Sequence, residues 1–314
     1  SSLHLPNAIF AIAKRPMRKS MLRLGSSLMA LSLSLGAALP TVAADPFRTN
    51  SPYEIGEHTE AAFEAIFKEG NYDSARAALV LAEDSEADEP LVHALAASIA
   101  YLEGDLSEVE NRAKLTTQMA ESLVDSDPLR GNLYTAVGTF LEGAYILQTQ
   151  GVAKGTPRAL SMLQQVFSAL DDAEAIDPTD PELNLIKGYM DLLLAVNLPF
   201  SNPEEAIERM TENGSPVYVA QRGIAVGYRD LEQYDDALVA VNKAIAAAPD
   251  HPELMYLKAQ ILRRLGNEAE AIELFDAALV YAEQLPAGLV RRIAWENCSA
   301  QGEDPPVCVE ASGY

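Results

Sequence analysis

Histidine and cysteine are scarce in this chain of 314 residues, with four of the first and two of the second. Two cysteines cannot build a disulfide framework or a four-thiolate zinc site. His4, His58, His93 and His251 stand far apart, and none belongs to an H-E-x-x-H frame. No catalytic metal and no other cofactor is therefore expected. Basic residues are also few, Lys+Arg 23 against Asp+Glu 46, for a formal net charge of -23. Binding nucleic acid needs the opposite excess, because lysine and arginine neutralise phosphate, so nucleic acid is excluded as the main partner. What remains is the balance of a folded chain, 48% hydrophobic and 22% charged, long enough for one large or two ordinary domains.

Acids are missing altogether from residues 1–44, which carry Lys14, Arg15, Arg18, Lys19 and Arg23. An apolar run from Leu24 to Leu39 follows, rich in Leu, Ala and Ser, then Pro40-Thr41-Val42-Ala43-Ala44, and Asp45 is the first acid. A basic stretch, an apolar stretch of about 15 residues and small residues at the end describe a secretory signal peptide of the Sec type. The run is short and serine-rich for a membrane span, although a retained anchor helix is the other reading. No cysteine follows it, which excludes a lipid-attached form, and no Arg-Arg pair precedes it. The first residue is Ser, and a start at Met17 would give a leader of ordinary length, with Met21 as a second candidate. Cleavage after Ala44 leaves 18 basic residues, 23 less 5, against 46 acidic ones. Anionic membrane surfaces repel such a chain. The expected location is the periplasm, or the thylakoid lumen of a photosynthetic bacterium, with no stable membrane insertion once the leader is gone. Residues 45–55 are expected as a linker.

After Asp45 the chain repeats itself. A shift of 34 residues lays Ala225 on Ala259, Tyr228 on Leu262, Arg229 on Arg263 and Leu231 on Leu265. The same shift lays Ala237 on Ala271, Leu238 on Ile272, Val241 on Phe275 and Ala244 on Ala278, and near the N-terminus Gly70 on Gly104. Each unit reads as two helices. Ile224, Ala225 and Tyr228 recur at helical spacing in the first, and Ala237, Val241 and Ala244 line one face of the second. Gly70, Gly104, Gly151 and Gly266 mark turns, and Pro90, Pro128, Pro178 with Pro181, Pro216, Pro249 with Pro252, and Pro286 mark connections. Buried alanines let two helix backbones approach to about 8 Å.

The 34-residue period, Gly70-Asn71-Tyr72-Asp73-Ser74-Ala75 and Ala244-Ile245-Ala246-Ala247-Ala248-Pro249 resemble the tetratricopeptide repeat. Pro181-Glu182-Leu183 and Pro252-Glu253-Leu254 do so too, and match each other. The whole is also similar to exported tetratricopeptide repeat proteins of cyanobacteria. The resemblance covers residues 56–285 and implies an all-α fold, an α-solenoid of about six helical hairpins. Between Pro128 and Pro178, and at Asn197 to Asn202, the period fails, and lengthened helices or an irregular loop are expected. Residues 286–314 form a separate end: Ala287 to Trp295 is amphipathic and suits a cap over the last repeat, since terminal repeats need a cover for their apolar face. Cys298 and Cys308 follow. In an exported protein this pair predicts a disulfide, with Gly302 and Pro305-Pro306 supplying the turn.

Functionally, the resemblance implies a non-catalytic scaffold that holds a protein or peptide partner. Its groove would be lined by first helices, which places Arg222, Arg229, Tyr256, Gln260, Arg263 and Arg264 on it. Guanidinium groups spaced about 10 Å apart on a concave wall favour a carboxylate or an acidic peptide. The plainer reading is that these arginines pair with surface acids and bind nothing. His251, in an Ala-Pro-Asp-His-Pro connector, reads as a solvated turn residue, and Asp235, Asp236, Glu268 and Glu270 as acids attracted to helix N-termini. The alternative function is an enzyme or small-ligand binder with its site in the irregular residues 151–215. A deep closed pocket there would favour it, and an open groove would favour the scaffold.

Overall fold

The computed structural model describes residues 44–50, 52–197 and 202–313. The leader expected over residues 1–44 lies outside them except for Ala44, as does the interruption at 198–201. Among the described residues there are helices and no strand, paired into six hairpins with a further pair at the C-terminus. The first hairpin is α1 (Glu57–Glu64), continued by a π-helical turn over Ala65–Glu69, with α2 (Tyr72–Ser85). Then come α3 (Pro90–Glu103) with α4 (Leu106–Leu123), and α5 (Pro128–Glu174), which folds back on itself at Gly151. Here the broken period has its cause: Gly151 takes φ 74 and ψ 163, so a single lengthened segment supplies both helices of a unit. The last three hairpins pair α6 (Pro181–Asn197) with α7 (Pro203–Glu212), α8 (Val217–Asp230) with α9 (Tyr234–Ala247), and α10 (Pro252–Arg264) with α11 (Glu268–Leu279).

Local chemistry sets these boundaries. Pro90, Pro128, Pro203 and Pro252 stand in the first turn of their helices, where a missing N–H costs nothing. Asn71, Asp105 and Asp127 cap α2, α4 and α5 by accepting from the backbone N–H of Ser74, Glu108 and Arg130. Asp235, Asp236, Glu268 and Glu270 occupy the first turns of α9 and α11, exposed as expected. The repeat-related alanines 225 and 259, 237 and 271, and 244 and 278 are fully buried between helices.

The array does not stay open. The turn after α1 meets the start of α10: His251 Nε2 lies 3.2 Å from the Ile66 carbonyl, and Tyr72 donates to Glu253 Oε1 at 2.7 Å. Gln284 donates to the Gly70 carbonyl at 3.3 Å, and α12 (Ala287–Ala300) comes against α3. Gly70 is required twice over, since it has φ 65 and a Cβ there would sit 2.8 Å from Pro252 Cδ. First and last units thus share a seam.

Residues 45–55 are not a free linker. Phe47 and Ile55 belong to the core, and Arg48 reaches across to α6. Its guanidinium bonds Asp180 at 2.7 Å, Glu182 at 2.8 Å and Asp45 at 3.1 Å. Glu182, 0% exposed, also accepts from Arg130 at 2.9 Å and from the Tyr134 hydroxyl at 2.6 Å, while Arg130 forks onto Glu89 at 2.7 and 2.8 Å. This buried network ties the N-terminal segment to α3, α5 and α6. Burial pushes the Glu182 carboxyl up, but Arg130 and Arg48 outweigh it and hold it below the usual carboxylate range. For Glu89 burial prevails over Arg130 and the carboxyl is raised.

At the C-terminus α12 covers α11, and α13 (Pro305–Ser312) packs on α12. Cys298 and Cys308 are joined with Cα atoms 5.4 Å apart, and Gly302 turns the chain with φ 82. Closing this short loop is worth roughly 3 kcal/mol in the chain-entropy picture. Cys298→Ser with Cys308→Ser should therefore loosen the end of the array first. Hydrogen exchange is expected to rise over 287–313 while amides near Glu182 keep their protection. Uniform protection in the double variant would contradict a local role for the bond.

Candidate functional site

The inner faces of α1, α3, α5, α6, α8 and α10, together with α12, surround one cavity of about 360 Å³. These are the first helices of all six hairpins and the capping helix. Of residues 151–215 only the inner face of α6 takes part, through Leu185, Tyr189 and Leu193 among others. The cavity is therefore made by the regular repeats and by the seam, not by the irregular stretch where a pocket was expected to favour the alternative function.

Most of its wall is apolar, Phe63, Phe67, Leu95, Leu102 and Phe140 among it. Polar groups gather on α8, α10 and α12. Four of the six groove residues expected from the sequence come together here: Arg222, Arg229, Tyr256 and Gln260 all line the cavity. Arg263 and Arg264 do not. Arg263 bonds Ser299 Oγ at 2.9 Å and approaches Glu268 at 3.9 Å, and Arg264 is exposed.

The arginines that do meet are engaged with acids. Arg222 pairs with Glu253 at 2.7 Å, and Arg229 with Asp230 at 2.7 Å and Gln260 Oε1 at 2.7 Å. Tyr256 donates to Glu296 Oε1 at 2.6 Å, and Gln260 donates to the same carboxylate at 3.0 and 3.1 Å. Burial, then the Glu296 charge, raises the Tyr256 hydroxyl well above its ordinary range, so it stays a neutral donor. Arg222 departs from the sequence reading most. It lines the cavity as half of a partly buried pair whose Nη1 finds no hydrogen-bond partner among the described residues.

His251 overturns its reading as a solvated turn residue. It is 1% exposed, accepts from the Glu253 N–H at Nδ1 as the cap of α10, and sits against the first hairpin. Burial and the nearby Arg222 charge lower its pKa to about 4. Sequence reasoning also missed the role of Glu182 and Glu253. They hold the same place after Pro181 and Pro252, and each receives an arginine and a tyrosine from another helix. The repeated Pro-Glu-Leu step was the available signal. His93, 5% exposed, has Nε2 2.8 Å from the Ala87 carbonyl, a packing role.

Among the described residues no group of His, Cys, Asp and Glu is placed to hold a metal ion. None of the described helices is long and apolar enough to cross a membrane.

A closed α-solenoid of helical hairpins with an inward-facing cavity is the class this geometry defines. Residues 223–287, which contain Arg229, Tyr256, Gln260, Arg263 and Arg264, match the family model of the tetratricopeptide repeat. Among solved structures the chain is similar to PilW, described as a widely conserved type IV pilus biogenesis factor. The identity is 17% and the TM-score 0.46, over 64% of this chain and 83% of that one. It is also similar to a tetratricopeptide repeat protein from Parabacteroides merdae ATCC 43184, at 15% identity and a TM-score of 0.42, over 82% of this chain and 92% of that one. No curated protein matches the chain.

Proposed function

We propose that this chain is an exported, non-catalytic scaffold that holds a protein or peptide partner at the arginine-bearing end of its concave face. The observation that carries this reading is the convergence of first helices from every hairpin on one concavity, with Arg222 and Arg229 of α8 and Arg292 of α12 in its wall. Helical repeats act through such concave surfaces. The wall offers apolar side chains and guanidinium groups rather than a nucleophile with its base, which favours holding over chemistry. Export is supported by the composition of residues 1–44 and by a disulfide, a bond that persists in oxidising compartments. An acidic partner segment would meet Arg229 and Gln260 at the cavity and Arg263 and Arg264 one turn beyond.

A pull-down from the envelope fraction of the exporting cell supplies the partner, and a pair of variants tests the surface. Arg229→Glu with Arg263→Glu should weaken partner binding at least about tenfold, because each charge-assisted hydrogen bond is worth roughly 1.5–3 kcal/mol. Lys114→Glu with Arg158→Glu, at exposed positions elsewhere, should leave it unchanged. Binding should also weaken with salt, which screens open contacts over about 8 Å at physiological ionic strength. Equal affinity in both folded double variants would remove these arginines from the interface.

A further inference from the structure

We propose that the cavity inside the array binds a single-chain amphiphile with a carboxylate head, its alkyl tail against the phenylalanine and leucine wall and its head on Arg292. This goes beyond the partner scaffold and does not depend on it.

Three observations converge. The first is size: about 360 Å³ falls within the range of roughly 300–1,000 Å³ usual for small-molecule sites.

The second is the wall. Phe67, Leu102 and Phe140 are only partly buried although they lie inside the array, so they keep apolar surface available to an occupant. An extended peptide in that part of the cavity would bring backbone N–H and C=O groups to a surface with few partners for them, which is unfavourable. An alkyl chain brings none. This difference selects a hydrocarbon tail for the deep part of the cavity and leaves a peptide to the rim.

The third is charge. Three arginines line the cavity, Arg222, Arg229 and Arg292, against two carboxylates, Asp230 and Glu253. Asp230 is taken by Arg229 and Glu253 by Arg222. Glu296 stands one turn after Arg292 on α12, yet its carboxylate is turned to Tyr256 and Gln260. Among the described residues Arg292 makes no ion pair; its charge is felt by the Tyr256 hydroxyl that Glu296 holds, and it borders an apolar space. In a chain where acids outnumber bases two to one, a guanidinium with no ion pair among the described residues, beside a hydrophobic cavity, is the place for an anion with an apolar body.

The probe is dodecanoate, titrated calorimetrically into the full chain below its micelle concentration. Saturable binding of one molecule per chain is expected. Butyrate, which lacks the tail, and dodecan-1-ol, which lacks the charge, should each bind at least about tenfold more weakly, a difference of 1.4 kcal/mol. Arg292→Gln should bring dodecanoate down to the affinity of the alcohol while leaving the alcohol itself unchanged. Ala144→Phe, which fills the cavity from α5, should abolish both.

No saturable binding by the folded chain would overturn the proposal. So would equal affinities for dodecanoate and dodecan-1-ol in the native protein, a comparison that decides the matter even where a variant fails to fold. Undiminished binding in folded Ala144→Phe would place the ligand elsewhere. Displacement of dodecanoate by an acidic apolar peptide that binds more tightly would assign the cavity to the protein partner instead. Loss of partner capture in the Arg229 and Arg263 double variant reads the scaffold function separately, so the two proposals fail independently.

Discussion

Glu182→Leu is expected to cost the folded protein about 3–5 kcal/mol, the penalty for leaving buried charges without their counter-ion. Arg48 and Arg130 both converge on this carboxylate, and the Tyr134 hydroxyl donates to it. Without it, two nearly buried guanidiniums face each other across an apolar gap, with only Glu89, Asp45 and Asp180 to compensate from their far sides. Urea unfolding should show the loss as a lowered midpoint. Arg130→Met is expected to be severe in its own right, since it strands the buried Glu89 and leaves Glu182 only Arg48 and the Tyr134 hydroxyl. The double variant should lose less than the sum of the two, because partners in one network are not additive. A loss below about 1 kcal/mol in Glu182→Leu would mean that water takes the place of the carboxylate, and that the network contributes little.

Acid should loosen the seam before it unfolds the repeats. His251 has its pKa lowered to about 4 from an ordinary 6.5, so below pH 6.5 the unfolded chain takes up a proton that the folded one refuses. Stability from this residue is therefore complete above pH 6.5, declines as the pH falls, and stops declining near pH 4. At 1.36 kcal/mol per unit the total is about 3 kcal/mol. Glu253, held below its ordinary range because Arg222 outweighs the effect of burial, extends the decline once its own carboxyl protonates. The expected readout is hydrogen exchange at residues 65–72 and at the start of α10, rising between pH 6.5 and 4. Asparagine also caps helices, so His251→Asn should keep α10 and flatten the pH slope. An unchanged slope in that variant would assign the acid sensitivity to the carboxylates alone.

Sequence and structure agree where the determinants are local. The shift of Ala237 onto Ala271 and Ala244 onto Ala278 identified buried helix contacts, because a small residue between two helices is required at the same place in every unit. Prolines and Gly151 announced the helix starts and the fold in α5. Cys298 and Cys308 were near enough in sequence for their pairing to be inferred. What was not legible depends on residues far apart in the chain. A connector histidine is solvated in an open array and becomes buried here only because Ile66 and Gly70 arrive from the first hairpin. Arg222 depends on contacts between units as well. Its spacing with Arg229 correctly places both on the inner face of α8, but periodicity carries no information about Glu253 pairing with it from the next unit, or about Tyr72 bonding that carboxylate from the first. Residues 45–55 read as a linker between the leader and the first repeat. Their anchoring comes from Phe47 and Ile55 in the core and from Arg48 finding Asp180 and Glu182, more than a hundred positions away.

The seam also bears on how such a chain can change its length over generations. An open solenoid gains or loses whole units at small cost, since each unit contacts only its neighbours. Here Ile66, Gly70 and Tyr72 must meet His251, Pro252 and Glu253 after a fixed number of turns. Duplicating or deleting one hairpin between them would move the two ends apart along the superhelix and leave His251, Tyr72 and Glu253 without their partners at once. The number of units is thereby set by closure, much as the number of staves is set by the hoop of a cask, and new sequence can enter only at the connectors on the outside.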